Sequence, residues 1–410
     1  MISLWIITKD IRLEDNYTLA EASKNSSLVY PVFVFDEEQF RNGNSSSVHF
    51  LIESLYELNE KLKSMNSCIH IVQKNNFDAF VKGIKCNKAY ILKGFTDFEK
   101  QRGVNYSSIL SLTEIDDALG ADRKKFLKAD KTPYRVFSKM EQSVNQNGGL
   151  AFYTMNATYP NLSKLQNFDT FDFNSLKFYT GPRLPEATWK GGSNEGLLIA
   201  SNKFNKVPNQ DISPHVKFGT ISPRLVYQCS SECQRGILWR GLYYNLMDQN
   251  MIYLKQRNIV WNNDPVKFQH WCNGTTGFDL VDAGINQLIR SGIMDNKIRM
   301  LVANFLVFVL NIDWRYGEEF FRKNLVDYDW PLNVGNWAWC AQVGIDHPRP
   351  NSLYSGKQVR IFNPDTYLND KPERKAFRNL YISKWLPRPQ NTTTKIADFN
   401  LNVAITVQYY

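Results

Sequence analysis

The sequence predicts a doubly wound, parallel α/β domain followed by an all-α domain. Three observations support this. The 410 residues exceed what a single hydrophobic core usually holds. Short β-branched and aromatic runs alternate with helical patterns near the N-terminus, and helical periodicity dominates later. The predicted boundaries are 1–130 for the α/β domain, 131–188 for a connector, 189–387 for the helical domain and 388–410 for a short tail.

The α/β domain is predicted from runs whose apolar residues are continuous, as in strands buried on both faces. These runs are Ser3–Thr8, Leu28–Phe35, Cys68–Gln73 and Ala89–Leu92. Between the second and third, Phe50–Met65 repeats leucine at helical spacing, which predicts a helix. The domain contains no G-x-G-x-x-G motif, so ordinary dinucleotide binding there is unsupported.

The rest of the chain divides into three stretches. Gln142–Leu184 is rich in Asn, Ser, Tyr and Phe and predicts an extended connector. Beyond Trp189 the apolar residues follow helical spacing, as in Ile298, Leu301, Val302, Phe305 and Leu306. The residues after Pro387 are polar and predict a partly ordered tail.

Composition restricts the compartment and the partners. A net charge of +9, with a pI near 9.0, suits a polyanionic partner, although a merely basic soluble protein is equally consistent. The six cysteines lack C-x-x-C pairs and zinc spacing, which predicts reduced thiols and no metal. No signal pattern and no apolar run of about 18–20 residues occur, so we expect a soluble intracellular protein, nuclear or cytoplasmic.

Three of the ten tryptophans stand out because they recur in polar, motif-like settings. They are Trp261 in V-W-N-N-D, Trp314 in I-D-W-R and Trp337 in W-A-W. Tryptophan is most often core mass. The alternative is a chain of oxidisable side chains that moves electrons.

The neighbouring motifs favour that alternative. G-T-T-G-F-D-L-V-D-A-G-I-N-Q-L covers Gly274–Leu288, G-I-M-D-N-K-I-R-M covers Gly292–Met300, and N-V-G-N-W-A-W covers Asn333–Trp339. Together with W-I-I-T-K-D-I-R-L-E-D-N at Trp5–Asn16 and F-G-T-I-S-P-R at Phe218–Arg224, this order resembles the photolyase/cryptochrome family of blue-light flavoproteins. The resemblance implies an antenna-type α/β domain, a connector and a helical FAD-binding domain.

The resemblance also implies a flavin site. Arg299 and Asp327 match an ion pair beside the isoalloxazine ring, Asp329 matches a residue bonded to the cofactor, and Asn333 matches the position facing flavin N5. An amide cannot readily deliver a proton to N5, so Asn333 favours a photolyase over a plant-type cryptochrome. Further cofactor contacts are implied for Ser213, Arg240, Asn296 and Met300. The family's phosphate-binding segment is weakly matched, since Asp211 there would face a diphosphate.

A pocket for damaged DNA is implied by the same match. Trp239 and Trp339 match its aromatic walls, Met300 and Asn296 match residues that contact the lesion, and Lys297 replaces an arginine that contacts phosphate. Asn296 favours cyclobutane dimers over (6-4) photoproducts, whose enzymes carry a histidine there.

Two substitutions and one segment depart from the family pattern. Gly236 replaces a glutamate that contacts the lesion, and Asp295 replaces a histidine and could supply the missing carboxylate. Asn351–Gln358, which carries Lys357, is either a loop at the DNA-facing rim or a solvated loop.

The resemblance therefore implies light-driven repair of cyclobutane pyrimidine dimers in UV-damaged DNA by excited reduced FAD. Trp337, Trp314 and Trp261 would carry electrons to oxidised flavin. The alternative is a cryptochrome-type photoreceptor, which Gly236 favours. An enzyme restricted to single-stranded DNA also remains open. We expect a monomer. The sequence does not distinguish between folate and deazaflavin as the antenna chromophore.

Overall fold

The computed structural model describes residues 2–41, 43–150, 158–165, 172–202, 209–251, 260–345, 361–386 and 395–397. These residues form two compact units. The first takes the described residues of Met1–Arg183 and Trp189–Gln249, and the second takes those of Leu184–Thr188 and Asn250–Tyr410. The domain boundary that the sequence suggests at residue 189 remains a prediction. The helices that follow this residue group with the first unit.

The first unit is built on a parallel sheet, as predicted, and the sheet has five strands. Its strands are β1 (Ile2–Ile6), β2 (Leu28–Phe35), β3 (His70–Gln73), β4 (Lys88–Leu92) and β5 (Ser111–Ile115), in the order β3-β2-β1-β4-β5. The order reverses between β1 and β4, which is characteristic of doubly wound sheets. The middle of β1 is inaccessible to solvent because the sheet is covered on both faces.

Ten helices accompany this sheet among the described residues of the first unit. They are α1 (Tyr17–Lys24), α2 (Glu37–Arg41), α3 (Ser45–Lys63), α4 (Phe77–Gly83), α5 (Asp97–Ser107), α6 (Phe137–Gln146), α7 (Ser193–Asn202), α8 (Asn209–Phe218), α9 (Pro223–Cys229) and α10 (Ser231–Asp248). Short 3₁₀ turns cover Lys74–Asn76, Arg123–Phe126 and Phe173–Tyr179.

Three predictions about this unit need correction. The sequence did not indicate β5, because S-L-T-E-I alternates polar and apolar residues at the edge of the sheet and buries little. Helix α3 begins before Phe50, where Asn44 caps it by accepting a hydrogen bond from Ser47 N at 3.2 Å. Helix α6 runs to Gln146, so the first residues of Gln142–Leu184, which the sequence predicts to be extended, are helical.

A buried charge network lies at the carboxyl end of β1. The Arg224 guanidinium donates to both carboxylate oxygens of Asp117, at 2.6 and 3.1 Å, and to Asp15 Oδ2 at 2.6 Å. Arg12 donates to Asp117 Oδ2 at 3.4 Å and to the Asp15 carbonyl at 2.9 Å. The four side chains are at most 7% exposed, so every charge is paired inside the fold.

Every regular element among the described residues of the second unit is a helix, as predicted. Its helices are α11 (Pro265–Cys272), α12 (Asp279–Ser291), α13 (Asn296–Phe308), α14 (Trp314–Asn324), α15 (Trp330–Cys340) and α16 (Pro372–Trp385). Helix α13 is central, and its predicted apolar face is fully buried. It packs closely on α12 at Gly284, where an added Cβ would lie 2.5 Å from Ile298.

No described helix is long and apolar enough to cross a membrane. Within the described ranges, no group of His, Cys, Asp and Glu side chains could hold a metal ion. All six cysteines are described and none forms a disulfide.

Candidate functional site

Helix α15 places three of the predicted site residues on one face. Asp329 precedes its first turn, and Asn333 and Trp337 follow at intervals of four residues, close to one helical turn each. Their exposed fractions are 5%, 9% and 2%. Asp329 occupies the N-cap position, but its side chain does not cap the helix. This face therefore presents a carboxylate, an amide and an indole in a row.

An ion pair joins α13 to the residues just before α15. Arg299 Nη2 lies 3.1 Å from Asp327 Oδ1 and 2.9 Å from Oδ2, and its Nε donates to the Met294 carbonyl at 2.8 Å. The Asp327 side chain is 3% exposed, whereas that of Arg299 is 22% exposed. The pair is thus covered on the aspartate side and accessible on the arginine side.

Glu318 of α14 holds the Asn333 amide. Asn333 Nδ2 donates to Glu318 Oε1 at 3.0 Å, and the Tyr328 hydroxyl donates to the same oxygen at 3.0 Å. Burial raises the pKa of Glu318, although the two hydrogen bonds act to lower it. Burial also raises the pKa of Tyr328. Because the amide nitrogen is turned towards Glu318, the orientation of the Asn333 carbonyl is fixed as well.

Trp337, Trp314 and Trp261 lie progressively closer to solvent. Trp337 packs against α14 at Gly317, where an added Cβ would lie 2.2 Å from the indole ring. Trp314 starts α14, one turn before Gly317. The two are 2% and 5% exposed, and Trp261 is half-buried.

Two hydrogen bonds connect the segment after Trp261 to the residues before Trp314. Asn262 N donates to the Asn311 carbonyl at 3.0 Å, and Asp313 N donates to Asn263 Oδ1 at 2.8 Å. These bonds bring the second and third predicted tryptophans into one neighbourhood.

The N-terminus of α13 carries the residues predicted to meet DNA. Asn296 and Lys297 are exposed and Met300 is half-buried. Asp295 caps α13, since its Oδ1 accepts a hydrogen bond from Lys297 N at 2.9 Å. That oxygen therefore serves the helix, which gives Asp295 a structural role apart from any lesion contact.

Trp339 lies on α15, two residues beyond Trp337, and is half-buried. Its indole Nε1 is buried and makes no hydrogen bond to any described residue. The predicted rim segment Asn351–Gln358, with Lys357, lies outside the described residues.

Three predicted site residues belong to the first unit. Trp239 of α10 stacks on Phe137 at 4.0 Å between ring centroids and also stacks on Tyr243 at 5.4 Å. Arg240 is buried, with its guanidinium 4.3 Å from the centre of the Tyr244 ring. Ser213 is half-buried in α8.

Asp211, the residue that fits the family's phosphate segment poorly, lies in the first turn of α8. A carboxylate at a helix N-terminus interacts favourably with the helix dipole. Its presence therefore has a local structural reason.

Glu318 and Tyr328 were not predicted to belong to the site. Glu318 lies four residues after Trp314, and Tyr328 lies between Asp327 and Asp329, so both are close in sequence to predicted site residues. Their joint contact with Asn333 comes from packing between α14 and α15, which a linear pattern does not specify.

Comparisons with known proteins agree with this architecture. The family model for DNA photolyase matches residues 3–157, and the model for the FAD binding domain of DNA photolyase matches residues 233–408. The chain is 35% identical to the deoxyribodipyrimidine photo-lyase of Buchnera aphidicola subsp. Baizongia pistaciae, over 96% of this chain and 90% of that protein.

Solved structures are similar over nearly the whole chain. An archaeal photolyase from Sulfolobus tokodaii, crystallised with two FAD molecules, has a TM-score of 0.80 at 27% identity, covering 96% of this chain and 92% of its own. A Synechocystis cryptochrome has the same TM-score at 21% identity, covering 96% and 90%, which shows a shared fold alone. The chain belongs to the DNA photolyase family and contains the FAD-binding domain of that family.

Proposed function

We propose that this protein repairs cyclobutane pyrimidine dimers in UV-damaged DNA in a light-driven reaction, as a deoxyribodipyrimidine photo-lyase. The observation that carries the proposal is the single face of α15 that presents Asp329, Asn333 and Trp337. That face combines, in one row, groups suited to binding a flavin, to tuning its N5 atom and to giving it an electron.

The side chains of the second unit suit a flavin ring. An isoalloxazine offers N–H donors and carbonyl acceptors, and its electronics respond to charges near N1 and N5. The Arg299–Asp327 pair supplies a cation with an accessible side, and Asp329 supplies a buried carboxylate that its own helix does not use as a cap. Reduced FAD, when bound, supplies the electron that excitation sends to the dimer.

Asn333 sets the proton chemistry beside the ring. Its Nδ2 donates to Glu318, so the amide offers its carbonyl oxygen to the other side. An amide oxygen accepts a hydrogen bond but carries no acidic proton. Asn333 therefore leaves N5 without a proton donor, which suits repair from anionic reduced flavin.

Trp337, Trp314 and Trp261 serve reactivation of oxidised flavin. Their increasing exposure, and the contact of Trp337 with α14 at Gly317, support an outward order. Each step moves an electron inward, towards the buried face of α15.

Damaged DNA is bound in part by the N-terminus of α13. Lys297 is exposed and gives a point charge for a phosphate, and Asn296 beside it offers an amide to bases. Trp339 is proposed as an aromatic wall for the lesion, and the match of Trp239 to the other wall stays a prediction from the sequence. Because Trp239 also stacks on Phe137, its replacement must be tested with a stability control.

We further propose that the enzyme acts as a monomer in a reducing compartment. Six cysteines that form no disulfide suit such a compartment. A sedimentation experiment that showed a stable dimer at working concentration would contradict the monomer.

The test uses chemically reduced, anaerobic protein and an oligonucleotide with one thymine cyclobutane dimer. After blue and near-UV illumination, chromatography measures restored thymines against a dark control, on single- and double-stranded substrate. We expect light-dependent restoration of the dimer and none of a (6-4) photoproduct. A flavin-loaded, photoreducible protein that restores neither would indicate the photoreceptor alternative.

A further inference from the structure

A line of aromatic rings leaves Trp337 in a direction that the predicted tryptophan chain does not use. Trp337 meets Trp271 of α11 edge-on, with 6.3 Å between ring centroids and 70° between planes. Trp271 continues to Phe268 at 6.0 Å, and Phe268 continues to Tyr316 of α14 at 5.6 Å. Trp271 is inaccessible, whereas Tyr316 is 52% exposed. The line therefore runs from the buried donor to solvent.

We propose that Trp271 and Tyr316 form a second electron path to Trp337, parallel to Trp314 and Trp261. The inference rests on the proposed function, because that function supplies the photo-excited oxidised flavin that draws the first electron. Phe268 is not oxidised in this path. Its ring fills the space between Trp271 and Tyr316, so the electron tunnels across a packed side chain.

The hydrogen bonds of the two indoles favour movement of the positive charge from Trp337 to Trp271. Trp271 Nε1 donates to the Val302 carbonyl at 3.1 Å. A hydrogen bond becomes stronger when its donor is ionised, so this bond stabilises a Trp271 radical cation. Trp337 Nε1 is buried and has no hydrogen-bond partner among the described residues.

The surroundings of Trp314 are less favourable for a positive charge on its indole ring. The Arg315 guanidinium lies 5.5 Å from the centre of the Trp314 ring, where its charge opposes a radical cation. Asp313, at 2.6 Å from Arg315, offsets part of that charge. The part of the Arg315 charge that Asp313 does not offset disfavours a radical cation on Trp314, so a path through Trp271 can compete with the path through Trp314.

Electrons and protons are balanced along the path, and the last exchange takes place at the protein surface. One electron passes from Trp337 to the excited flavin, one from Trp271 to the Trp337 radical cation, and one from Tyr316 to the Trp271 radical cation. Oxidised Tyr316 loses its phenolic proton to water, which its exposure permits. An external thiol then returns a hydrogen atom to the tyrosyl oxygen and becomes a thiyl radical.

The test measures photoreduction of oxidised flavin and, by electron paramagnetic resonance, the radical formed on illumination. Trp314→Phe blocks the predicted chain and should slow photoreduction by less than about tenfold, because the second path remains. Adding Tyr316→Phe should remove a tyrosyl signal and slow photoreduction by a further factor of about ten or more. Tyr316 is exposed, so this change does not threaten the core.

Trp271→Phe in the Trp314→Phe background should have the same effect, with flavin content confirming that the protein remains folded. Phe320→Leu, which removes a neighbouring ring 5.2 Å from Trp271, is the packing control and should change nothing. If Trp314→Phe alone abolishes photoreduction and no tyrosyl radical forms, the second path is wrong. Repair by chemically reduced protein needs neither path, so its loss would count against the proposed function instead.

Discussion

The two units hold two charged clusters of similar composition that are arranged differently. In the first unit Arg12, Arg224, Asp15 and Asp117 pair with one another and are each at most 7% exposed. In the second unit Arg299 pairs with Asp327 but remains 22% exposed, and Asp329 does not cap the helix it precedes. The first cluster is closed and the second is open.

The difference between the two clusters suggests that the closed one contributes to stability and the open one to ligand binding. A buried charge is costly without a partner, so a closed network must be complete before its region of the fold is stable. An open pair retains hydrogen-bonding capacity for a ligand. We therefore expect substitutions in the closed network to unfold the protein, and substitutions in the open cluster to release flavin.

The largest effect is expected in the closed network. Asp117→Ala leaves Arg224 and Arg12 without their shared carboxylate, which should lower the free energy of unfolding by about 3–5 kcal/mol. Urea unfolding measures the change. Asp78→Ala, which removes the partner of Lys82 in an exposed pair, is the control and should have almost no effect. Similar losses in both variants would contradict the distinction between closed and exposed pairs.

The open cluster should show the opposite pattern. Asp327→Asn removes the charge that holds Arg299, so FAD affinity should fall by about 10- to 100-fold, or 1.4–2.7 kcal/mol. Flavin fluorescence during titration of the apoprotein measures this affinity. Asp279→Asn, at an exposed aspartate of α12, should leave it unchanged. Unaltered affinity in Asp327→Asn would remove the pair from the flavin site.

At the N-terminus of α13, where we propose that DNA binds, the effect should be smaller. Lys297→Gln removes one exposed charge, so the slope of log affinity against log salt should decrease in magnitude by about 1. Damaged and undamaged oligonucleotides should be affected equally, because a phosphate contact carries no base information. Lys82→Gln, at another exposed lysine, should leave the slope unchanged. An unchanged slope in Lys297→Gln would show that this lysine does not meet DNA.

The smallest effect concerns Glu318 and depends on pH. Burial raises its pKa above the ordinary value of 4.5, so the fold favours the protonated form. Its stabilising contribution is present below pH 4.5 and is lost as the pH rises through the folded-state pKa. Glu318→Gln keeps an acceptor for Asn333 and Tyr328 but does not titrate. Its stability relative to wild type should therefore increase over that rise, and a constant difference would contradict the burial argument.

Much of the fold and part of the candidate site could be predicted from the sequence. Four strands were predicted because their apolar runs are continuous, and β5 was missed because it alternates. Asp329, Asn333 and Trp337 share a face because they are four residues apart on one helix, a regularity that a sequence displays directly.

Contacts between helices could not be predicted from residue spacing within one helix. Glu318 and Asn333 are 15 residues apart and meet only because α14 packs on α15. Trp271 was visible as one of ten tryptophans, but its approach to Trp337 depends on how α11 lies against the same pair. Asp295 showed the converse, since a residue considered for the lesion caps its own helix.

The most direct test compares Asp117→Asn with Asp327→Asn under one condition, at a temperature where both remain folded. Flavin bound per folded molecule is measured first, and light-driven restoration of a thymine dimer is then measured in the same samples. We expect Asp117→Asn to retain flavin and repair at the wild-type level per folded molecule, and Asp327→Asn to lose both. Equal losses in the two variants, or full retention in Asp327→Asn, would contradict the assignment of the open cluster to flavin-dependent repair.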